Sequence, residues 1–222
     1  MSIRHHLSDA LLLDYAAGTL SEGWSLAVAS HLALCPSCRR QLDAMEGAAG
    51  ALLEKIPVER GESDESWQAM KARLGDLQAI EIVEEKPRSR KPTASAVLPE
   101  PLRSYLGGDI QDLKWQALGR GAYQIRIPTD DRETQVRLLR IPAGKPVPEH
   151  THVGRELTLV LTGSFNDGEE LFARGDIEEA DESLLHTPTA TAGEDCICLA
   201  VTEAPLRFSS WIVRLIQPIL KI

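Results

Sequence analysis

Up to about residue 85 the apolar positions recur at intervals of three and four, the period of helices that bury one face. Leu11, Leu12 and Tyr15 follow Ser8, which suits an N-cap, and Gly18 suits the stop. Thr19 and Glu22 have capping-box spacing ahead of a second helix with Trp24, Val28 and Leu32. Pro36 fits the first turn of a third helix, along which Leu42, Met45, Ala49, Leu52 and Ile56 make one seam whose simplest reading is core packing. Ser63 suits the cap of a fourth helix, whose stripe of Trp67, Met70, Leu74 and Leu77 packs either internally or on a partner. Four short helices in about 80 residues enclose a thin core, so a bound metal or protein is expected to help hold them.

The texture then changes. Residues 84–101, EEKPRSRKPTASAVLPEP, are rich in proline and charge and read as a linker. Beyond them come short alternating runs, YQIRI, TQVRLLRI, ELTLVLTG, CICLAV and LRFSSWIV, separated by Gly, Pro and Asp. That pattern predicts a β-sandwich or barrel. The expected organisation is a helical domain over 1–85, a linker over 86–99 and a β domain over 100–222. No internal repeat is evident.

Charge narrows the partners. The 222-residue chain carries a formal charge of -9, and residues 1–85 hold 14 acidic against 7 basic side chains. Phosphate binding needs a basic surface, so direct nucleic-acid binding is not expected, whereas a basic protein partner suits the N-terminal part. No apolar run is long enough to span a membrane and the first residues lack a signal peptide's pattern, so a cytoplasmic protein without membrane attachment is expected. The four cysteines fall in two close pairs, Cys35 with Cys38 and Cys196 with Cys198. In a reducing compartment this spacing points to metal or redox chemistry rather than to disulfides.

His31, Cys35 and Cys38 form His-x3-Cys-x2-Cys. The first two share a helix face, and Pro36 supplies a turn that lets both sulfurs address one centre. Three such ligands suit tetrahedral Zn²⁺, which needs a fourth. His5 and His6 are the nearby choices, and His6, closer to the Ser8 cap, is favoured. A closed four-ligand site is structural.

The second cluster reads Gly144-x5-His150-x-His152-x3-Glu156-x6-Gly163, with ten residues then separating Gly175 from His186. Alternation along a strand puts His150 and His152 on one face, with a carboxylate shortly after, and a return strand can bring His186 opposite. Such ligands accept Zn or another divalent transition metal. Cys196 and Cys198 share a face of an apolar strand, as small core residues, as oxidant-responsive thiols or as additional ligands.

The first cluster, with its upstream histidine, resembles the zinc-binding anti-sigma domain, and the second matches the two motifs of the cupin superfamily. In the second motif Asp181, Ser183 and Ala190 stand where Pro, Gly and Asn are usual. A small four-helix zinc domain joined to a C-terminal cupin, a double-stranded β-helix or jelly roll, resembles the ChrR-type anti-sigma factors. The resemblance implies a regulator, not an enzyme. It implies a 1:1 complex with an extracytoplasmic-function-type sigma factor, zinc on His6, His31, Cys35 and Cys38, and a metal on His150, His152, Glu156 and His186. It also implies release of the sigma factor on an oxidative signal such as singlet oxygen or an organic peroxide. The alternative is a metal-dependent cupin enzyme, of dioxygenase or isomerase type, whose N-terminal zinc domain serves oligomerisation.

Overall fold

The computed structural model describes residues 2–57, 63–77, 96–119, 121–131, 133–204 and 207–208. Residues 1–46 with 96–222 make one compact unit, and residues 47–95 a second.

In the first unit, α1 (Asp9–Ala16) starts at an N-cap Ser8 whose hydroxyl accepts from the Leu11 N–H, and it stops before Gly18 at φ 69°. α2 (Glu22–Leu34) does not use the expected Thr19–Glu22 box. Its N-cap is Ser21, without a side-chain cap bond, and the Thr19 hydroxyl donates to the Asp14 carbonyl at the end of the previous helix. α2 is buried on most sides, through Trp24, Leu26, Ala27, Val28, His31 and Leu32. α3 (Pro36–Leu53) begins at Pro36 as expected, and its first half buries Cys38 and Leu42.

The linker ends inside the fold. Leu98 is fully buried, and the backbone N–H groups of Val97 and Leu98 both donate to Asp109, at 2.9 Å each. Residues 86–95 of the expected linker lie outside the described residues. A short helix that periodicity did not reveal, α5 (Glu100–Leu106), follows with Leu102 in the core, and Gly107 in the left-handed region stops it.

Four of the five expected strands form, as β2 (Ala122–Ile127), β3 (Gln135–Ile141), β5 (Glu156–Thr162) and β10 (Cys196–Thr202). Of the last, LRFSSWIV, only Arg207–Phe208 lies in the described residues, as β11. The rest are β1 (Gln116–Gly119), β4 (His150–Thr151), β6 (Ser164–Asp167), β7 (Glu170–Ala173), β8 (Ile177–Ala180) and β9 (Thr189–Ala190). They form a six-stranded antiparallel sheet ordered β1-β2-β3-β10-β5-β8, a pair β11-β4 and a three-stranded sheet β7-β6-β9.

Period-two alternation gives the large sheet two different faces. Leu157, Leu159, Leu199, Val201 and Ile177 join Leu11, Leu12, Trp24 and Val28 in one continuous apolar core, so the sheet's outer face is covered by the N-terminal helices. Gly23 sets how closely α2 approaches, since a Cβ there would fall 2.2 Å from the Thr134 hydroxyl. The inner face carries Glu156, Thr158, Val160, Cys196 and Cys198, with the two cysteine sulfurs 3.5 Å apart in a small cluster with Phe165 and Phe172.

In the second unit, α4 (Ser63–Leu77) is the expected fourth helix. Trp67, Met70 and Leu74 are 46–54% exposed on it, and Leu52, Leu53 and Ile56 are exposed as well. The seam expected to pack along the third helix is therefore core only as far as Leu42 and the half-buried Met45. No helix among the described residues is long and apolar enough to cross a membrane.

Candidate metal centres

Two groups of ligand atoms converge, each held by separate elements. The first joins the segment before α1 to the end of α2 and the start of α3. The Nδ1 of His6 lies 3.3 Å from Cys35 Sγ and 3.5 Å from Cys38 Sγ, and the Nε2 of His31 lies 3.3 Å from Cys38 Sγ. A tetrahedron with metal–nitrogen bonds of ~2.0–2.1 Å and metal–sulfur bonds of ~2.3 Å has nitrogen–sulfur edges of about 3.5 Å, which these three distances match, and all four atoms lie within 4.8 Å of one another. These four residues could hold a metal ion. His5 is engaged elsewhere, its ring stacked on Phe172 at 4.1 Å between centroids and 3.7 Å from carboxylate oxygens of both Glu170 and Asp176.

Burial sets the protonation of this group. It pulls His31 down to about 4, and it raises the Cys38 thiol to about 11. The imidazole is thus a neutral donor at pH 7, whereas the Cys38 thiol must give up a proton to become a thiolate ligand.

The second group closes where two chain segments pair. His150 and His186 exchange backbone hydrogen bonds at 3.1 Å in both directions, which sets their rings side by side. The Nε2 of His186 lies 3.1 Å from that of His150 and 3.0 Å from that of His152. These three histidines, all buried, could hold a metal ion. The partners of the outward nitrogens fix which way these rings face. His150 Nδ1 is 2.8 Å from the Pro148 carbonyl and His186 Nδ1 is 2.7 Å from the Asp167 carboxylate. A carbonyl and a carboxylate can only accept, so both rings carry their proton on Nδ1 and turn an Nε2 lone pair to the centre.

Glu156 is placed differently from the three histidines. Its Oε2 lies 3.3 Å from His152 Nδ1, at the opposite edge of that ring from the converging nitrogens, and its Oε1 accepts from the Thr158 hydroxyl at 2.8 Å. Burial pushes its carboxyl up, but His152, Thr158 and His150 outweigh that and hold it below the usual range. Glu156 is thus a close carboxylate neighbour of His152, without the hydrogen bond that joins Asp167 to His186.

Two acidic residues of this shell were not anticipated from spacing. Asp167 precedes Gly168 in what reads as a turn, and Glu178 lies in the short strand Ile177–Ala180. Asp167, Glu178 and His186 themselves bring three ligand atoms together. The available signal was an acidic residue at an inward position of an apolar strand. A cavity of about 940 Å³ opens beside them, lined by Asp167, Glu178 and His186 on one wall and by His5, His6 and Ser8 on another.

Residues 105–205 match the family described as the ChrR cupin-like domain. Over 223 aligned residues, covering all of both chains, the protein is 48% identical to the anti-sigma-E factor ChrR of Cereibacter sphaeroides. The chain belongs to the ChrR family of anti-sigma factors. The crystal structure of Rhodobacter sphaeroides SigE in complex with the anti-sigma ChrR is similar at 46% identity and a TM-score of 0.73, covering 90% of this chain and 99% of that one. Full-length similarity to a regulator, rather than to cupins alone, makes this a regulatory protein and not a cupin enzyme with an appendage.

Proposed function

We propose that the protein is a cytoplasmic, zinc-dependent anti-sigma factor that binds one extracytoplasmic-function-type sigma factor through residues 1–85 and responds to an oxidative signal through a cupin domain over residues 100–222. The observation that carries this reading is the 48% identity along the whole length of an anti-sigma factor, in a chain that also brings both ligand groups together.

In the reading, His6, His31, Cys35 and Cys38 hold zinc. Bound there, the ion supplies a cross-link among the segment before α1, α2 and α3. His31 and Cys38 are buried and fixed by helix packing, which keeps the donors near the required geometry before any ion arrives. The partner surface is supported by α4, where Trp67, Met70 and Leu74 recur on one face and stay exposed, as a helix that seats in an apolar groove requires. The acidic excess of residues 1–85 favours a basic partner over nucleic acid.

His150, His152, Glu156 and His186 hold the second ion, zinc or another divalent transition metal, and Glu156 lies 3.3 Å from His152 Nδ1. The oxidative signal, singlet oxygen or an organic peroxide in the ChrR-type reading, acts at this end of the molecule.

Co-expression with an extracytoplasmic-function-type sigma factor from the same organism tests the reading. The full chain is expected to co-purify 1:1 with that sigma factor and to retain zinc, while the Cys35→Ser, Cys38→Ser chain loses the N-terminal metal and the partner. A metal-free double variant that still captures the sigma factor would contradict it. The His150→Ala, His152→Ala chain is expected to keep the partner and lose release by oxidant.

A further inference from the structure

Residues 2–8 have no regular secondary structure, yet they deliver His6 to the N-terminal ligand group. An extended segment has no internal partners for its N–H groups, so something outside it must fix its course. The cupin side does so on both flanks of His6. The buried carboxylate of Asp176 accepts from the Arg4 and His5 N–H groups at 2.6 and 3.0 Å, and Glu179 accepts from the Ser8 N–H at 2.7 Å and the Ser8 hydroxyl at 2.9 Å. The Ile177 N–H donates to the His5 carbonyl at 3.4 Å.

The groove that receives the segment is shaped for it. Gly175 has φ +91°, and a Cβ there would sit 2.7 Å from the Ile3 side chain. The other oxygen of Asp176 accepts from the Ala173 N–H at 2.8 Å, which fixes the carboxylate before it meets the segment.

The same short strand faces the second centre. Glu179 turns to Ser8, while its neighbour Glu178 turns inward to Asp167, the acceptor for His186 Nδ1. Alternation along β8 therefore places one residue against each ligand group.

We infer that Asp176 and Glu179 are positioning residues for His6, so that the cupin sheet, and not the helices alone, sets how firmly the N-terminal metal site is closed. This rests on the reading that His6, His31, Cys35 and Cys38 hold zinc. Removing groups that orient a metal ligand costs roughly 10–100-fold in affinity, which sets the expected scale.

The test uses the full-length chain loaded with cobalt, whose thiolate charge-transfer band reports the centre containing Cys35 and Cys38, together with zinc transfer to a chromogenic chelator. The Asp176→Ala, Glu179→Ala variant is expected to lose metal from this centre at least about 10-fold faster and to show an altered cobalt spectrum, as when one nitrogen donor is replaced by water. Glu179→Gln, which keeps an acceptor for the Ser8 N–H, is expected to stay near the parent, and so is Glu170→Gln, which removes only an exposed charge near His5. A folded double variant with the parent's release rate and spectrum overturns the inference. Should the double variant not fold, Glu179→Ala alone removes only the exposed end of the clasp, and parental release there overturns it equally. Absence of a thiolate–cobalt band in the parent would instead defeat the zinc reading itself.

Discussion

His150 and His186 each spend Nδ1 on an acceptor and aim Nε2 at a common point, and the acceptors, Pro148 and Asp167, matter as much as the rings. Asp167 is itself backed by Glu178, which burial first and then the charge of Asp167 push up to about 8 from an ordinary 4.5. With no metal bound, the unfolded chain releases this proton near pH 4.5 whereas the folded chain keeps it to about 8, so stability falls as pH rises across that window. The shift corresponds to at most about 5 kcal/mol, less whatever relaxation of the site recovers. Denaturation of metal-stripped Glu178→Gln is expected to show a stability loss between about pH 5 and pH 8 that is smaller than the parent's by a few kcal/mol. Equal pH dependence in the two chains would place the titrating group elsewhere. At this scale much was legible from the sequence, because a His-x3-Cys-x2-Cys run on a helix and a His-x-His run on a strand fix their own geometry. The shell around them was not, since Asp167, Glu178 and Asp176 reach their partners only through strand pairing distant in sequence.

Among the described residues, α4 and the end of α3 carry runs of large apolar side chains that no burial explains. A stripe at helical spacing is ordinarily core, and the seam from Leu42 to Ile56 reads that way. Leu52 and Ile56 are instead 66% and 62% exposed. Periodicity records that a face is apolar and not what covers it. If the sigma factor covers α4, Trp67→Ala with Leu74→Ala weakens the complex by at least about 2 kcal/mol, the scale of lost aromatic and aliphatic anchors at an interface. Thermal unfolding of the free chain should hardly change, because these side chains bury little within it. Titration of the variant against the sigma factor measures the first, and calorimetry the second. Undiminished binding would move the partner surface off α4. The helix α5 escaped periodicity for a simpler reason, having only seven residues, led by Glu100 and Pro101, with Leu102 its one fully buried side chain.

For the whole molecule, the texture change near residue 85 suggests more independence of the helical and β-rich sequence than the packing has. Leu11, Leu12, Trp24 and Val28 lie in one core with Leu157, Leu159, Leu199 and Val201. Alternating strands buried on both faces carried a hint of this, since CICLAVT in β10 is buried at every position. Removing residues 100–222 therefore strips α1 and α2 of their cover. The fragment 1–85, freed from the cupin sheet, is expected to unfold at lower denaturant than the full chain when both are saturated with zinc and followed by helical circular dichroism. An unchanged midpoint would show that the helices hold together without the sheet. The sheet, the clasped segment before α1 and the first ligand group share one set of contacts.

In the proposed function, this chain inhibits a sigma factor through a structure closed by His6, His31, Cys35 and Cys38. It is tested most directly by transcription in vitro from a promoter that requires the cognate sigma factor, with core polymerase and increasing amounts of the purified chain. The zinc-loaded parent is expected to abolish the transcript near one equivalent, and the Cys35→Ser, Cys38→Ser chain is expected not to inhibit. Full inhibition by the metal-free double variant, or none by the zinc-loaded parent, would contradict it.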